Sequence, residues 1–108
     1  MADRKPNTDQ AGLPFSEETI KAVWKKALPM TNGLHCDICG TVISEGEYGN
    51  TGSLSGWEID HEKPVAKGGT DAISNLQPLY WLTNRKKSDT YPWTCSMLEA
   101  SPTEKKTS

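Results

Sequence analysis

The chain has 108 residues, a length that holds one domain with a modest core, of the size at which a metal or a partner often assists folding. Its formal net charge of −2 excludes a chain-wide basic surface, so any contact with nucleic acid has to be local. Three cysteines, an opening MADRKPNTDQ without an apolar stretch, and no apolar run of membrane length argue against a secreted disulfide framework and a membrane span, and the expectation is a soluble cytoplasmic protein.

Residues 1–14 are polar, carry Pro6, Gly12 and Pro14, and read as a flexible N-terminal arm. A helix start follows. Ser16 suits an N-cap, Glu17 and Glu18 favour the positive end of the helix dipole, and Phe15 with Ile20 fits a hydrophobic staple. Ile20, Val23, Trp24, Ala27 and Leu28 share one helical face, and Pro29 stops the helix. This helix is expected to lay that face on the core.

Residues 34–49 read as a knuckle, with Cys36 and Cys39 flanking a turn that Gly40 tightens, and Thr41, Val42 and Ile43 as a short strand. Residues 49–56 are a flexible connection. Residues 57–60 read as a strand with Trp57 and Ile59 on one face and Glu58 and Asp60 on the other. Glu58 reads as a solvated carboxylate. Residues 64–70 form a loop around Gly68-Gly69, residues 73–77 a return strand, and Pro78 opens a helix running to about Lys87. The tail at 99–108 reads as flexible, so the domain spans 15–98 with a core at 34–89. Trp57, Trp81 and Trp93 read first as core or edge aromatics.

Asp60-His61, Asn75 and Asn84 thus fall on strand end, loop and helix. An acid, an imidazole and two carboxamides in so short a stretch are suited to holding one metal ion and activating one water, the chemistry that cuts a phosphodiester. Asn84 on the helix and Asp60 on the strand can reach one ion. An imidazole, as His61 carries, is the side chain best suited to a general base. Asn75, which both donates and accepts, can tie the two arms of the loop and keep His61 aimed.

The string Asp60-His61, Pro64, Gly68-Gly69, Asn75-Leu76-Gln77 and Asn84-Arg85-Lys86-Lys87-Ser88-Asp89, preceded by Cys36 and Cys39, resembles the HNH endonuclease family over residues 34–89. The resemblance implies an α+β domain with a ββα-metal core, to which the N-terminal helix packs. It implies Asp60 and Asn84 as metal ligands, His61 as general base and Asn75 as the loop-orienting residue. The implied activity is metal-dependent DNA endonuclease, nicking one strand of double-stranded DNA per active site with weak sequence preference. The alternative is a catalytically weak DNA-binding accessory of a phage packaging or restriction assembly. A monomer or weak homodimer is expected.

The chain departs from the family pattern in two places. The last signature position is Asn84 rather than His, so both ligands are oxygen donors, which suits Mg²⁺ or Mn²⁺ better than Zn²⁺. Tyr80 and Thr83 stand where members with four zinc cysteines carry a second pair. Cys36 and Cys39 are then left with half a structural zinc site, and a vestigial pair packed as small hydrophobes is favoured over zinc. Between Asp60 and Ser88 five basic residues face three acidic ones, so positive charge collects where phosphate would dock. Arg85, Lys86 and Lys87 are the expected phosphate contacts.

Overall fold

The computed structural model describes residues 4–100. The first helix, α1, spans Glu17–Trp24, with Ser16 accepting a hydrogen bond from the Thr19 amide at 3.1 Å as its N-cap. It ends earlier than the apolar spacing suggests. The amides of Lys26 and Ala27 turn to the Val23 and Trp24 carbonyls, which tightens the last turn. Leu28–Pro29 then leaves as strand β1. A residue before proline is pushed out of the helical region, so Leu28 extends and is exposed while Val23 and Ala27 are buried.

β1 pairs antiparallel with β2 (His35–Cys36), and β2 with β3 (Val42–Ile43), to form a small sheet at the knuckle. The second sheet is the hairpin of β4 (Trp57–His61) and β5 (Leu76–Tyr80), in the register Trp57↔Tyr80 to His61↔Leu76. α2 (Trp81–Lys87) follows directly.

The return strand therefore lies three residues later than expected, and Pro78 sits inside it instead of opening the helix. The ladder explains why this is tolerated. Glu62 donates to the Asn75 carbonyl and Trp81 to the Gly56 carbonyl, so the bonded pairs are the even positions of β4. Pro78 faces Ile59, a non-bonded pair, and the N–H it lacks would have pointed away from β4.

The order of layers is α1, hairpin, α2. Phe15, Val23, Ala27, Ile43, Trp57, Ile59 and Leu76 form the core on the α1 side, with Ile20, Trp24, Tyr48 and Tyr80 packed against it. Glu58 and Asp60, on the opposite face of β4, reach α2.

Residues 4–14, expected as a flexible arm, are instead bonded to the core. The Asn7 side-chain oxygen accepts from the Ile59 amide and from the Tyr48 hydroxyl, both at 2.8 Å. The Ile59 N–H points outward from the hairpin, so Asn7 supplies the acceptor that a further strand would have given. Of the expected C-terminal tail, residues 101–108 lie outside the described residues.

Candidate active site

Asp60 is buried at 5 % exposure in the middle of the ladder, facing α2. Its Oδ2 accepts from Gln77 Nε2 at 2.9 Å, and its Oδ1 pairs with Lys87 Nζ at 3.2 Å. Burial pushes its carboxyl up from the ordinary carboxylate range, against the opposing pull of Lys87 and Gln77.

Asn84 donates from Nδ2 to Glu58 Oε1 at 2.7 Å. An ionised carboxylate has no hydrogen to give, so the Asn84 amine must face Glu58, and its carbonyl oxygen accepts no hydrogen bond among the described residues. Asp60, His61 and Asn84 line one cavity of about 200 Å³. The Asp60 carboxylate and the Asn84 amide oxygen are hard oxygen donors on one cavity, and such a pair fits a hard divalent cation. No cluster of three or more His, Cys, Asp and Glu able to hold a metal occurs among the described residues.

Glu58 was expected in solvent. It is 2 % exposed, and besides Asn84 it carries a two-point pair from Arg85, at 3.2 Å from Nε and 2.7 Å from Nη2. Strand alternation placed it on the face of Asp60; the packing of α2 buried it.

His61, the last residue of β4, points to the α1 side. Its ring lies 5.9 Å from that of Phe15, and Nε2 is 2.8 Å from Asp71 Oδ1. Asn75 makes three bonds across the loop: Oδ1 accepts from Lys63 N at 2.9 Å, and Nδ2 donates to the carbonyls of Lys63 and Thr70 at 3.1 and 2.8 Å. The two glycines have different duties. Gly68 adopts φ 96°, a left-handed conformation, while a Cβ at Gly69 would overlap the Lys63 carbonyl.

The basic cluster is not one patch. Lys86 is exposed and the Arg85 side chain is 40 % exposed, so both are accessible to phosphate. Lys87 is 2 % exposed and bonds Asp60 and, at 3.1 Å, the His61 carbonyl. The expectation of Lys87 as a phosphate contact is therefore corrected: Lys87 and Asn84 share the helix face turned to β4. Arg4, Pro6 and Asn7 also line the cavity, and Asp71 holds His61. None of these was singled out from sequence as part of the site, because nothing in residues 4–10 marks a segment that folds back over a strand 52 positions later.

At the knuckle, Cys39 forms a disulfide with Cys95 and Cys36 is a free thiol. A sulfur in a disulfide offers no thiolate to zinc, which corrects the candidate zinc pair Cys36 and Cys39. Asp37, 1 % exposed, joins the knuckle to the hairpin instead. Its Oδ1 accepts from the amides of Cys39 and Thr41 at 2.9 and 3.0 Å, and its Oδ2 from the Tyr80 amide at 2.8 Å.

Comparison with known proteins bears on this geometry. No curated protein and no solved structure matches the chain significantly. A family model described as HNH endonuclease matches residues 36–90, just over half of the chain. That match takes in the knuckle, both strands of the hairpin, the Asn75 loop and α2, the same elements that bring Asp60, His61 and Asn84 to one cavity, and the chain belongs to the HNH endonuclease family.

Proposed function

We propose that this protein is a divalent-metal-dependent endonuclease that hydrolyses phosphodiester bonds of double-stranded DNA, breaking one strand per active site. The observation that carries the reading is the convergence of Asp60, His61 and Asn84 on one cavity, with Arg4 and Arg85 on its wall. Membership of the family implies a nuclease, and HNH nucleases bind DNA and generally use a divalent metal.

Arg85, Lys86 and Arg4 supply positive charge for the backbone, contacts that read phosphate and carry little sequence information. His61 takes a proton from a water, and the hydroxide attacks phosphorus opposite the 3′ oxygen. The bond to that oxygen breaks, it takes a proton from solvent, and the ends are a 5′-phosphate and a 3′-hydroxyl. Asp60 and Asn84 would hold Mg²⁺ or Mn²⁺, which stabilises negative charge on the phosphate and the departing oxygen. Asn75 keeps both arms of the loop together beneath His61.

Supercoiled plasmid incubated with Mn²⁺ or Mg²⁺ is expected to give open circles, and EDTA to stop the reaction. His61→Ala is expected to slow nicking by about 10²–10⁴-fold, the usual contribution of a general base. Calorimetric Mn²⁺ affinity should be unchanged in that variant. Cleavage in EDTA, or loss of metal binding with His61, contradicts the reading.

One observation favours a second reading, a DNA-binding accessory of weak activity. The Lys87 ammonium already sits on Asp60, the residue the metal needs. DNA binding with no open-circle product under any divalent ion would decide for that reading.

A further inference from the structure

We infer that Asp71 is a positioning residue for His61, and that the N-terminal segment clamps it in that role through Gln10. This rests on the reading of His61 as the proton acceptor. His61 is 4 % exposed, and its ring makes one hydrogen bond among the described residues, from Nε2 to Asp71 Oδ1 at 2.8 Å. Asp71 is itself held. The Gln10 backbone N–H donates to both of its carboxylate oxygens, at 3.1 and 3.2 Å, and the Asp71 backbone N–H donates to the Gln10 side-chain Oε1 at 3.0 Å.

Residues 10 and 71 therefore grip each other from both sides, and Asn7 anchors the same segment to the Ile59 amide two residues before His61. The geometry has a chemical consequence. A carboxylate accepts only, so in the neutral imidazole the proton sits on Nε2 and the lone pair on Nδ1. Phe15 limits rotation of the ring from the side. The imidazole is presented in one tautomer and one orientation, with Nδ1 as the nitrogen that takes the proton from water. Asn75 holds the loop backbone; Asp71 holds the ring.

The test combines spectroscopy with kinetics. In ¹⁵N-histidine-labelled protein without DNA, at a pH where the ring is neutral, long-range ¹H–¹⁵N spectra should show His61 protonated on Nε2, with that proton protected from exchange. Protection should vanish in Asp71→Ala. In plasmid nicking, Asp71→Ala should lower kcat by about 10–100-fold while KM for DNA and Mn²⁺ affinity stay unchanged. Asp71→Asn, which keeps the volume and an oxygen for Gln10 but can turn an amine toward Nε2, should lose kcat likewise. Placed in the His61→Ala background, neither substitution should reduce the residual rate further, because residues acting as one unit are not additive. The inference is overturned by an Nδ1-protonated or unprotected His61, by an unchanged kcat in Asp71→Ala, or by a loss that persists without His61. If the wild type fails to nick, the functional reading falls, and the spectra alone then decide whether Asp71 holds the ring.

Discussion

The residue that most sharpens the site is Glu58. A carboxamide is a weak ligand whose two ends are nearly equal in shape, and a neighbouring carboxylate decides which end faces the cavity. Glu58 does this for Asn84 while neutralising Arg85, whose guanidinium it holds above its ordinary range by hydrogen bonding and charge. Glu58→Ala should therefore weaken Mn²⁺ binding by about 10–100-fold, the usual effect of removing a group that orients a ligand. Calorimetry measures this, and unchanged affinity would remove Asn84 from the ligand set. Strand alternation alone showed that Glu58 and Asp60 share a face. That Glu58 is buried, and that Lys87 is sequestered on Asp60 instead of exposed beside Arg85 and Lys86, follows from where α2 packs.

At the scale of elements, the local signals were good where the chain is its own context. The Ser16 cap, the acidic first turn and the Phe15–Ile20 staple need only neighbours in sequence, and α1 begins where they say. Its end, and the place of β5, were decided by partners. Pro78 has the right chemistry for a helix start, yet pairing with β4 draws it into the strand at a position where its missing N–H is harmless. The same pairing sets how tightly the loop between the strands must close, and Gly69 is where it closes. Gly69→Ala forces the Lys63 carbonyl aside and loosens the bonds of Asn75 to Lys63 and Thr70. The expected outcome is a loss of roughly 1–3 kcal/mol, as for other overpacked sites, read as a lower midpoint in urea, together with slower nicking. A variant as stable and as active as the wild type would show that the loop does not need this approach.

At the scale of the whole molecule, distant segments close the structure around the hairpin. Residues 4–10 cover the outer edge of β4 and wall the cavity. The Cys39–Cys95 disulfide, spanning 56 positions, ties the C-terminal segment to the knuckle, and Asp37 ties the knuckle to β5. Disulfides persist in oxidising surroundings, so this bond runs against the expectation drawn from the odd cysteine count and the Cys36–Cys39 spacing. Ellman titration of the denatured, unreduced chain should read one thiol, that of Cys36, and elemental analysis should find no stoichiometric zinc. Three thiols with one zinc per chain would reverse the assignment.

By itself, the sequence determined the α+β class and the HNH family, and it singled out Asp60, His61, Asn75 and Asn84 as the candidate kit, with oxygen donors for the proposed metal. Residue type and close spacing carry that chemistry over a segment short enough to be its own context. Only the tertiary structure decided which groups surround the kit: Glu58 beside Asn84, Lys87 on Asp60, Asp71 and Gln10 behind His61, and Cys95 on Cys39. Those contacts join residues from 10 to 61 positions apart, and burial and charge pairing at such separations are set by how the layers pack, which no local pattern encodes.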